Sequence, residues 1–403
     1  MGALAACFYG YPSRKMKLVG VTGTSGKTTV THLVQSVFEA SGISAGIIGT
    51  LGAKAGSELI ETQHTTPESA DIQRILSLMV ERGVEAAAME VSSHGLHQGR
   101  VLGCEFDCGV ITNIARDHLD YHKTVEAYVD AKLMLFRDYP AMSEKKFHAV
   151  TNADDDYADQ ARSAARGEVI TFGVKKDADV AARSVCVTES SVSFDLVYQG
   201  RSTAARLGIG GQFNVYNALA ASAVGIAAGL DLEVVAAGLE SARPVPGRFQ
   251  AVDCGQDFGV LVDYAHTPDE LENVLHTARE ITSGKLIVVF GCGGDRDTGK
   301  RPIMGRIGSE LADLAIITSD NPRSEDPQSI IADILRGIPE DARGRSVVRV
   351  DRAEAIREAI SAAGAEDLVV IAGKGHEDYQ VFADRTIHFD DAEVARQALL
   401  ELN

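Results

Sequence analysis

Apolar residues recur along this chain in two rhythms. Short runs rich in Val, Ile and Ala fall at 18–22, 45–48, 86–91, 109–113, 149–151 and 169–172, separated by longer stretches of helical periodicity. Unbroken apolar runs fit strands buried on both faces, and their alternation with helices predicts a parallel sheet covered on each side. Between about 180 and 207 the rhythm changes to two-residue alternation around Gly200, which predicts antiparallel hairpins, and a helix is expected over 213–229. A second alternating block opens near Arg248. It has a hairpin about 255–259 and strands at 286–290, 314–318, 347–350 and 368–371. Between the blocks, Arg243-Pro244-Val245-Pro246-Gly247 has the stiff, turn-forming composition of an interdomain hinge. The pattern predicts an α/β protein of two domains, residues 1–243 and 244–403.

Composition narrows the class. A chain of 403 residues, 45% apolar and 24% charged, is an ordinary globular protein with material for more than one core. A net charge of −18 excludes nucleic acid and anionic membrane surfaces as partners, since both need a basic face. Small anionic substrates stay open to it, because a few local Arg and Lys residues suffice. No apolar run reaches transmembrane length, and the first residues lack a signal-peptide core. Six cysteines without a CxxC pair suit reduced thiols in a cytoplasmic enzyme.

The densest chemical signal is GVTGTSGKTT, from Gly20 to Thr29, set between an apolar run and a helical segment carrying Leu33, Val34, Val37 and Phe38. Strand, glycine-rich turn and helix are the context in which backbone N–H groups cradle phosphates. Gly23, Thr24, Ser25 and Gly26 would form the cradle, Lys27 would bring a positive charge, and the Thr28 hydroxyl, followed by Thr29, would hold Mg²⁺. Val21 stands where the usual pattern has its first glycine; the bland reading is a glycine turn joining a strand to a helix. Further on, the strand 86–91 delivers Glu90 at its C-terminal end, where open α/β sheets bind ligands. A metal ligand, an acid–base residue or a surface carboxylate fits that position. The next strand ends in a cluster of Asp117, His118, Asp120 and His122, which lacks thiolate or HExxH spacing and suits a hard cation better than zinc. A polar loop capping a helix accounts for it equally simply. Lys132, on a helical stretch at 125–136, is by spacing alone an ordinary solvated lysine.

In the second block, Asp263-Tyr-Ala-His266-Thr-Pro ends a strand, with Pro268 placed to start a helix. Gly291-Cys-Gly-Gly-Asp-Arg-Asp297, Asp320-Asn321-Pro322-Arg323 and Gly373-Lys-Gly-His-Glu377 each follow an apolar strand, so these turns should gather along one edge of the second sheet. For any one turn, loop chemistry is explanation enough. Three of them, rich in Arg, Asp and His, point to a site.

Taken in order, TGTSGKTT, HTTPE, EVSSHGL, TNIARDHLDYH, VDYAHTPDELENVL, FGCGGDRDTGKRP, SDNPR and GKGHEDYQ resemble the Mur ligase family, ATP-dependent amide-forming enzymes of bacterial cell-wall synthesis. The resemblance implies a central P-loop-type ATPase domain, mostly parallel with a small antiparallel region, followed by a Rossmann-like α/β domain. It implies that Lys27 contacts the ATP phosphates, that Thr28 and Glu90 hold magnesium, and that His118 serves a second magnesium. It makes Lys132 a carbamylated lysine, turned from a cation into a carboxylate ligand. Asn217, Arg248, Asp263 and His266 become nucleotide contacts. Thr65, Thr66, Ser92, Gln98 and Arg100 fall to the UDP-N-acetylmuramoyl dipeptide.

The DNPR form implies meso-diaminopimelate as the incoming amino acid. Arg323 would pair with its distal carboxylate and Glu377 with its distal ammonium, beside Arg296, Asp320, Asn321, Pro322 and Gly373. The implied reaction activates the D-glutamate γ-carboxylate as an acyl phosphate, which the amine then attacks, in a monomer whose domains close about the hinge. Family members carry a domain before the P-loop that holds the uridine diphosphate, and it is expected to be missing here. His64 stands where Asn is common in the family. Two other readings compete. One is an ATP-binding module without ligase activity. The other is a folylpolyglutamate-synthetase-like ligase, against which DNPR and GKGHEDYQ argue.

Overall fold

The computed structural model describes residues 1–402, the side chain of Asp120 excepted. The chain divides into two compact units. The first holds Met1–Cys186, Val192–Gly208 and Phe213–Arg243; the second holds Val187–Ser191, Ile209–Gln212 and the chain from Pro244 on.

The strands of the first unit are β1 (Lys17–Thr22), β2 (Ala45–Gly49), β3 (Gly52–Ala55), β4 (Glu58–Ile60), β5 (Ala86–Glu90), β6 (Cys108–Ile111), β7 (His148–Asn152), β8 (Glu168–Gly173), β9 (Val180–Val187), β10 (Val192–Tyr198) and β11 (Arg201–Leu207). They form one sheet in the order β11-β10-β9-β8-β7-β6-β1-β5-β2-β3-β4. From β9 to β2 neighbouring strands pair in parallel, while β10–β11, β2–β3 and β3–β4 are antiparallel. Unbroken apolar runs such as Ala86-Ala87-Ala88-Met89 sit here because helices cover both faces of the parallel part. The strand β1 lies between β5 and β6, so the chain leaves the sheet to opposite sides around it. The crevice at its C-terminal end is the topological position for a ligand.

The short hairpin β3–β4 was not legible as strands. Four- and three-residue elements with Gly and Lys have too little periodicity to register. The first residues, a bare lead-in by sequence, form a helix at Gly2–Phe8 and a 3₁₀ turn at Pro12–Lys15.

The second unit holds β12 (Gln250–Ala251), β13 (Gly259–Asp263), β14 (Leu286–Phe290), β15 (Leu314–Ile317), β16 (Ser346–Val348) and β17 (Leu368–Ala372) in the order β12-β13-β17-β14-β15-β16. A separate hairpin pairs β18 (Tyr379–Val381) with β19 (Thr386–His388). Alternate residues of the parallel strands enter two different cores. Leu261, Leu286, Val288, Phe290 and Val370 face one; Val260, Val262, Ile287, Val289 and Ile371 face the other. Val245 is buried in this unit, and the tight turn at Gly247 packs on Gly375 and His376. Among the described residues no helix is long and apolar enough to cross a membrane.

Candidate active site

The turn after β1 is built for close approach. Gly26 has φ +84, a left-handed conformation that favours glycine, and a Cβ there would run into the Asn217 side chain. Asn217 is buried on the helix Gln212–Ala227 and donates to Asn214 Oδ1 at 2.8 Å. The helix Lys27–Ala40 begins directly after Gly26, so its first N–H groups open onto the turn. Lys27 Nζ folds back over the turn, donating to the carbonyls of Gly23 at 2.9 Å and Thr24 at 2.8 Å. Asn113 closes the other side, accepting from Ser25 N–H at 3.1 Å.

Glu90 ends β5 beside this turn and is 2% exposed, which overturns the reading of a surface carboxylate. Oε2 accepts from the hydroxyls of Thr28 and Thr50, both at 3.1 Å, and Oε1 accepts from Thr50 N–H at 2.8 Å. Gly49 leaves the space the carboxylate needs, since a Cβ there would collide with Oε1. Thr50 also lies 3.1 Å from Thr65 Oγ1. Sequence reading passed over Thr50; the signal was its place after a buried strand, next to the strand that carries Glu90.

Lys132 corrects the expectation drawn from spacing. Its side chain is 1% exposed, Nζ donates to Gly23 O at 2.7 Å, and the ammonium position lies 4.4 Å from the centre of the Tyr128 ring. Burial first, then the neighbouring Lys27, holds its amine well below the usual lysine value. Helical periodicity could not show this, because the face that carries Lys132 abuts the turn at Gly23 rather than solvent.

The expected cluster at 117–122 comes apart. His118 has φ 52, is about half exposed, and sits 3.5 Å from Asp117 Oδ2. His122 turns instead to Ser93 Oγ at 3.0 Å, in a nest of rings with His94, His97 and Tyr128. Burial and the surrounding imidazoles push its pKa down to about 4. The side chain of Asp120 lies outside the described residues. Among the described residues no group of three or more His, Cys, Asp or Glu stands ready to hold a metal. The oxygen donors that do stand together at the turn are Glu90 and Thr28.

The other first-unit candidates form one network beside Glu90. Thr66 Oγ1 donates to Glu90 O at 3.0 Å and to Ser92 Oγ at 3.1 Å, and Arg100 donates to Thr66 O at 3.0 Å and to Gln98 Oε1 at 2.9 Å.

In the second unit, the turns after β14, β15 and β17 lie together because those strands are neighbours. Arg323, at φ 53, donates through Nη1 to Gly294 O at 2.8 Å, and its N–H bonds Val381 O at 3.0 Å. Asn321 donates to Glu377 Oε2 at 2.7 Å. Asp320 and Pro322 are buried beside it; a Cβ on Gly373 would meet Asp320 Oδ2 at 2.8 Å, and Arg296 stays exposed. Arg352, fully buried, donates to Ser319 O at 3.4 Å and Ala372 O at 3.0 Å, tying the roots of two of these turns together, and it is paired with Asp391.

Nearby, Arg248 lies 4.9 Å from the centre of the Tyr264 ring, and its buried Nε has no hydrogen-bond partner among the described residues. Asp263, held above its usual pKa by burial, accepts from Phe249 N–H at 2.7 Å and Ala265 N–H at 2.9 Å. His266 sits 3.2 Å from Glu270 Oε2 at the head of the helix Pro268–Ile281, where Pro268 takes the first position as expected.

Two family models match the chain: the Mur ligase middle domain over residues 21–225, and the Mur ligase glutamate ligase domain over 247–375. A Bacillus cereus protein, UDP-N-acetylmuramoyl-L-alanyl-D-glutamate–2,6-diaminopimelate ligase, is 45% identical over 99% of this chain and 81% of its own. A Geobacillus kaustophilus protein of the same name is 47% identical over 100% and 82%. A solved structure of a ligase of that name superposes with a TM-score of 0.73 at 36% identity, over 100% of this chain and 82% of the other. The folylpolyglutamate synthase of Mycobacterium tuberculosis shares the fold, with a TM-score of 0.74 at 18% identity, over 98% of this chain and 93% of the other.

Proposed function

The chain belongs to the Mur ligase family, and from that premise we propose that it joins meso-diaminopimelate to the D-glutamate γ-carboxylate of UDP-N-acetylmuramoyl-L-alanyl-D-glutamate, at the expense of ATP, in peptidoglycan precursor synthesis. The observation that carries the chemistry is the buried Glu90 carboxylate, bonded at 3.1 Å to Thr28 in the first turn of the phosphate-turn helix. Two hard oxygen donors beside a phosphate cradle fit Mg²⁺, which would neutralise charge on the transferring phosphoryl group.

The γ-phosphoryl group of ATP passes to a carboxylate oxygen of D-glutamate, and ADP leaves. The amine nitrogen then attacks the acyl carbon; the tetrahedral adduct collapses, releasing phosphate and a proton. The backbone N–H groups of 23–28 hold the phosphates, and Lys27 exchanges the carbonyls of Gly23 and Thr24 for phosphate oxygens. Asn217, whose side chain lies against Gly26, would touch the nucleotide. Arg248, Asp263 and His266 are assigned to the nucleotide by the family resemblance.

Carbamylation of Lys132 needs a neutral amine to attack CO₂, and its lowered pKa supplies one. The resulting carboxylate, with His118, would hold a metal ion that neutralises phosphoryl charge. The network of Thr65, Thr66, Ser92, Gln98 and Arg100 grips the dipeptide end. Arg323 pairs with the distal carboxylate of diaminopimelate and Glu377 with its distal ammonium, beside Arg296, Asp320, Asn321, Pro322 and Gly373. The use of ATP and the free cysteines support a cytoplasmic location.

Phosphate release is the test, measured with ATP, the UDP-muramoyl dipeptide, and either meso-diaminopimelate or L-lysine. Release with diaminopimelate is expected. Release with lysine alone overturns the amino-acid assignment. ATP binding without release on either amino acid returns the chain to a non-catalytic binding module.

A further inference from the structure

Lys374 is a charged residue to which neither motif nor chemistry has so far given a task. Its side chain is 0% exposed, under the turn that carries Gly373 and Glu377. Nζ lies 3.2 Å from Asn321 Oδ1 and 3.3 Å from Glu377 Oε2, and 5.4 Å from the centre of the Tyr379 ring. Burying an ammonium costs several kcal/mol unless partners replace its water, so a lysine here needs a reason.

The geometry of its partners supplies one. Asn321 Oδ1 also accepts from Val381 N–H at 3.0 Å, which fixes the amide orientation: oxygen toward Lys374 and Val381, nitrogen toward Glu377 at 2.7 Å. Both donors to the Glu377 carboxylate therefore end on the same oxygen, Oε2. That clamps the rotamer and leaves Oε1 as the oxygen for an incoming cation. Removing Lys374 would leave Oε2 with one donor, unlock the carboxylate, and free the Asn321 amide to turn.

We propose that Lys374 is a positioning residue that sets selectivity for the distal ammonium of the amino-acid substrate, acting through Glu377 and Asn321. The inference rests on the assignment of Glu377 to that ammonium. Lys374 itself touches neither the reacting amine nor the acyl carbon.

The test compares meso-diaminopimelate with L-2-aminopimelate, which keeps the distal carboxylate and the reacting amine but lacks the distal ammonium. kcat/KM for both is measured on the wild-type chain, Lys374→Met and Lys374→Gln, with the KM for ATP as a control. The wild type should prefer diaminopimelate. Lys374→Met should cut that preference at least tenfold, through KM for diaminopimelate, while 2-aminopimelate use and the ATP KM stay within about threefold. Lys374→Gln keeps a donor without the charge and should lose less; it is the readout should Lys374→Met fail to fold, with a drop of threefold or more expected. A preference equal to wild type in the folded variants overturns the positioning role while leaving Glu377 in place. An equal loss on both substrates makes Lys374 merely structural and also overturns it. A wild type indifferent between the two substrates overturns the Glu377 assignment, and this inference falls with it.

Discussion

At the scale of single residues, burial changed more assignments than identity did. By spacing Lys132 is an ordinary solvated lysine, and a surface carboxylate was one reading of Glu90, yet both are almost fully enclosed beside the turn at 23–28. A helical wheel reports which residues share a face, not what that face meets, so the pattern could not show that Lys132 is buried, and only the family resemblance singled it out. Thr50 was missed altogether, because a threonine after a strand has no spacing partner; its bonds to Glu90 exist only once β2 and β5 are paired. If Lys132 acts as a carbamate ligand, Lys132→Ala should lower kcat by about 100-fold, the scale of losing one transition-state charge contact. Short carboxylic acids added to the variant should restore part of the rate, with the melting temperature little changed. No rescue together with a collapsed melting temperature would make Lys132 a packing residue only. His376 offers a pH test. Burial pushes its pKa down to about 4, from an ordinary value near 6.5, and its Nδ1 has no partner. The unfolded chain therefore binds the proton first as pH falls, so stability present above pH 6.5 drains away between 6.5 and about 4, by up to roughly 3 kcal/mol. His122, pushed down to about 4 as well, drains stability over the same range, so His376→Gln should lessen that slope in urea unfolding by about half; an unchanged slope would place the titration elsewhere.

Elements were easier to read, and the reason is periodicity. The strand 286–290 was predicted to the residue because five apolar positions in a row, with turns on either side, leave no other choice. Weakly patterned pieces escaped. The hairpins β3–β4 and β18–β19 are short, polar and partly exposed, and tertiary contacts rather than local rhythm create them. The turn at 23–26 reads as a phosphate cradle from its glycines, but the partner that enforces Gly26 was not legible: Asn217 lies far along the chain, on another helix. Gly26→Ala sets both causes against the turn. A left-handed alanine costs about 1–2 kcal/mol, and its methyl would displace Asn217. ATP binding should weaken at least tenfold by calorimetry, while the helix Lys27–Ala40 survives in circular dichroism. Unaltered ATP affinity would remove the turn from the nucleotide site.

For the whole molecule, unbroken apolar strands alternating with helices pointed to sheets covered on both faces, and buried cores lie in each unit. It did not tell what ties chemically important turns to a core. In the second unit that tie is Arg352, whose guanidinium meets both Asp391 oxygens at 2.7 Å while reaching the carbonyls of Ser319 and Ala372. Neither residue carries a motif. They are separated by 39 positions and meet only when the helices Arg352–Ala362 and Asp391–Leu402 pack together. Sequence alone had no route to the pair. Arg352→Met removes the cation and leaves Asp391 buried without compensation, a change that typically costs about 3–5 kcal/mol. The turns at 319–323 and 373–377 should loosen with it, because each loses the donor at its root. Hydrogen exchange should therefore speed up at β15, β17 and the two helices, and the KM for diaminopimelate should rise, while β1 and the helix Lys27–Ala40 keep their protection. Should exchange rise equally in both units, the pair holds up the entire chain rather than the amino-acid turns. Should it rise in neither, Asp391 has found water or a proton, and the pair contributes little. The double variant Arg352→Met with Asp391→Leu separates the outcomes further: it removes the stranded charge, so stability should recover, but the carbonyls of Ser319 and Ala372 remain without their donor. Recovery of stability without recovery of the diaminopimelate KM would identify Arg352 as the brace of the site.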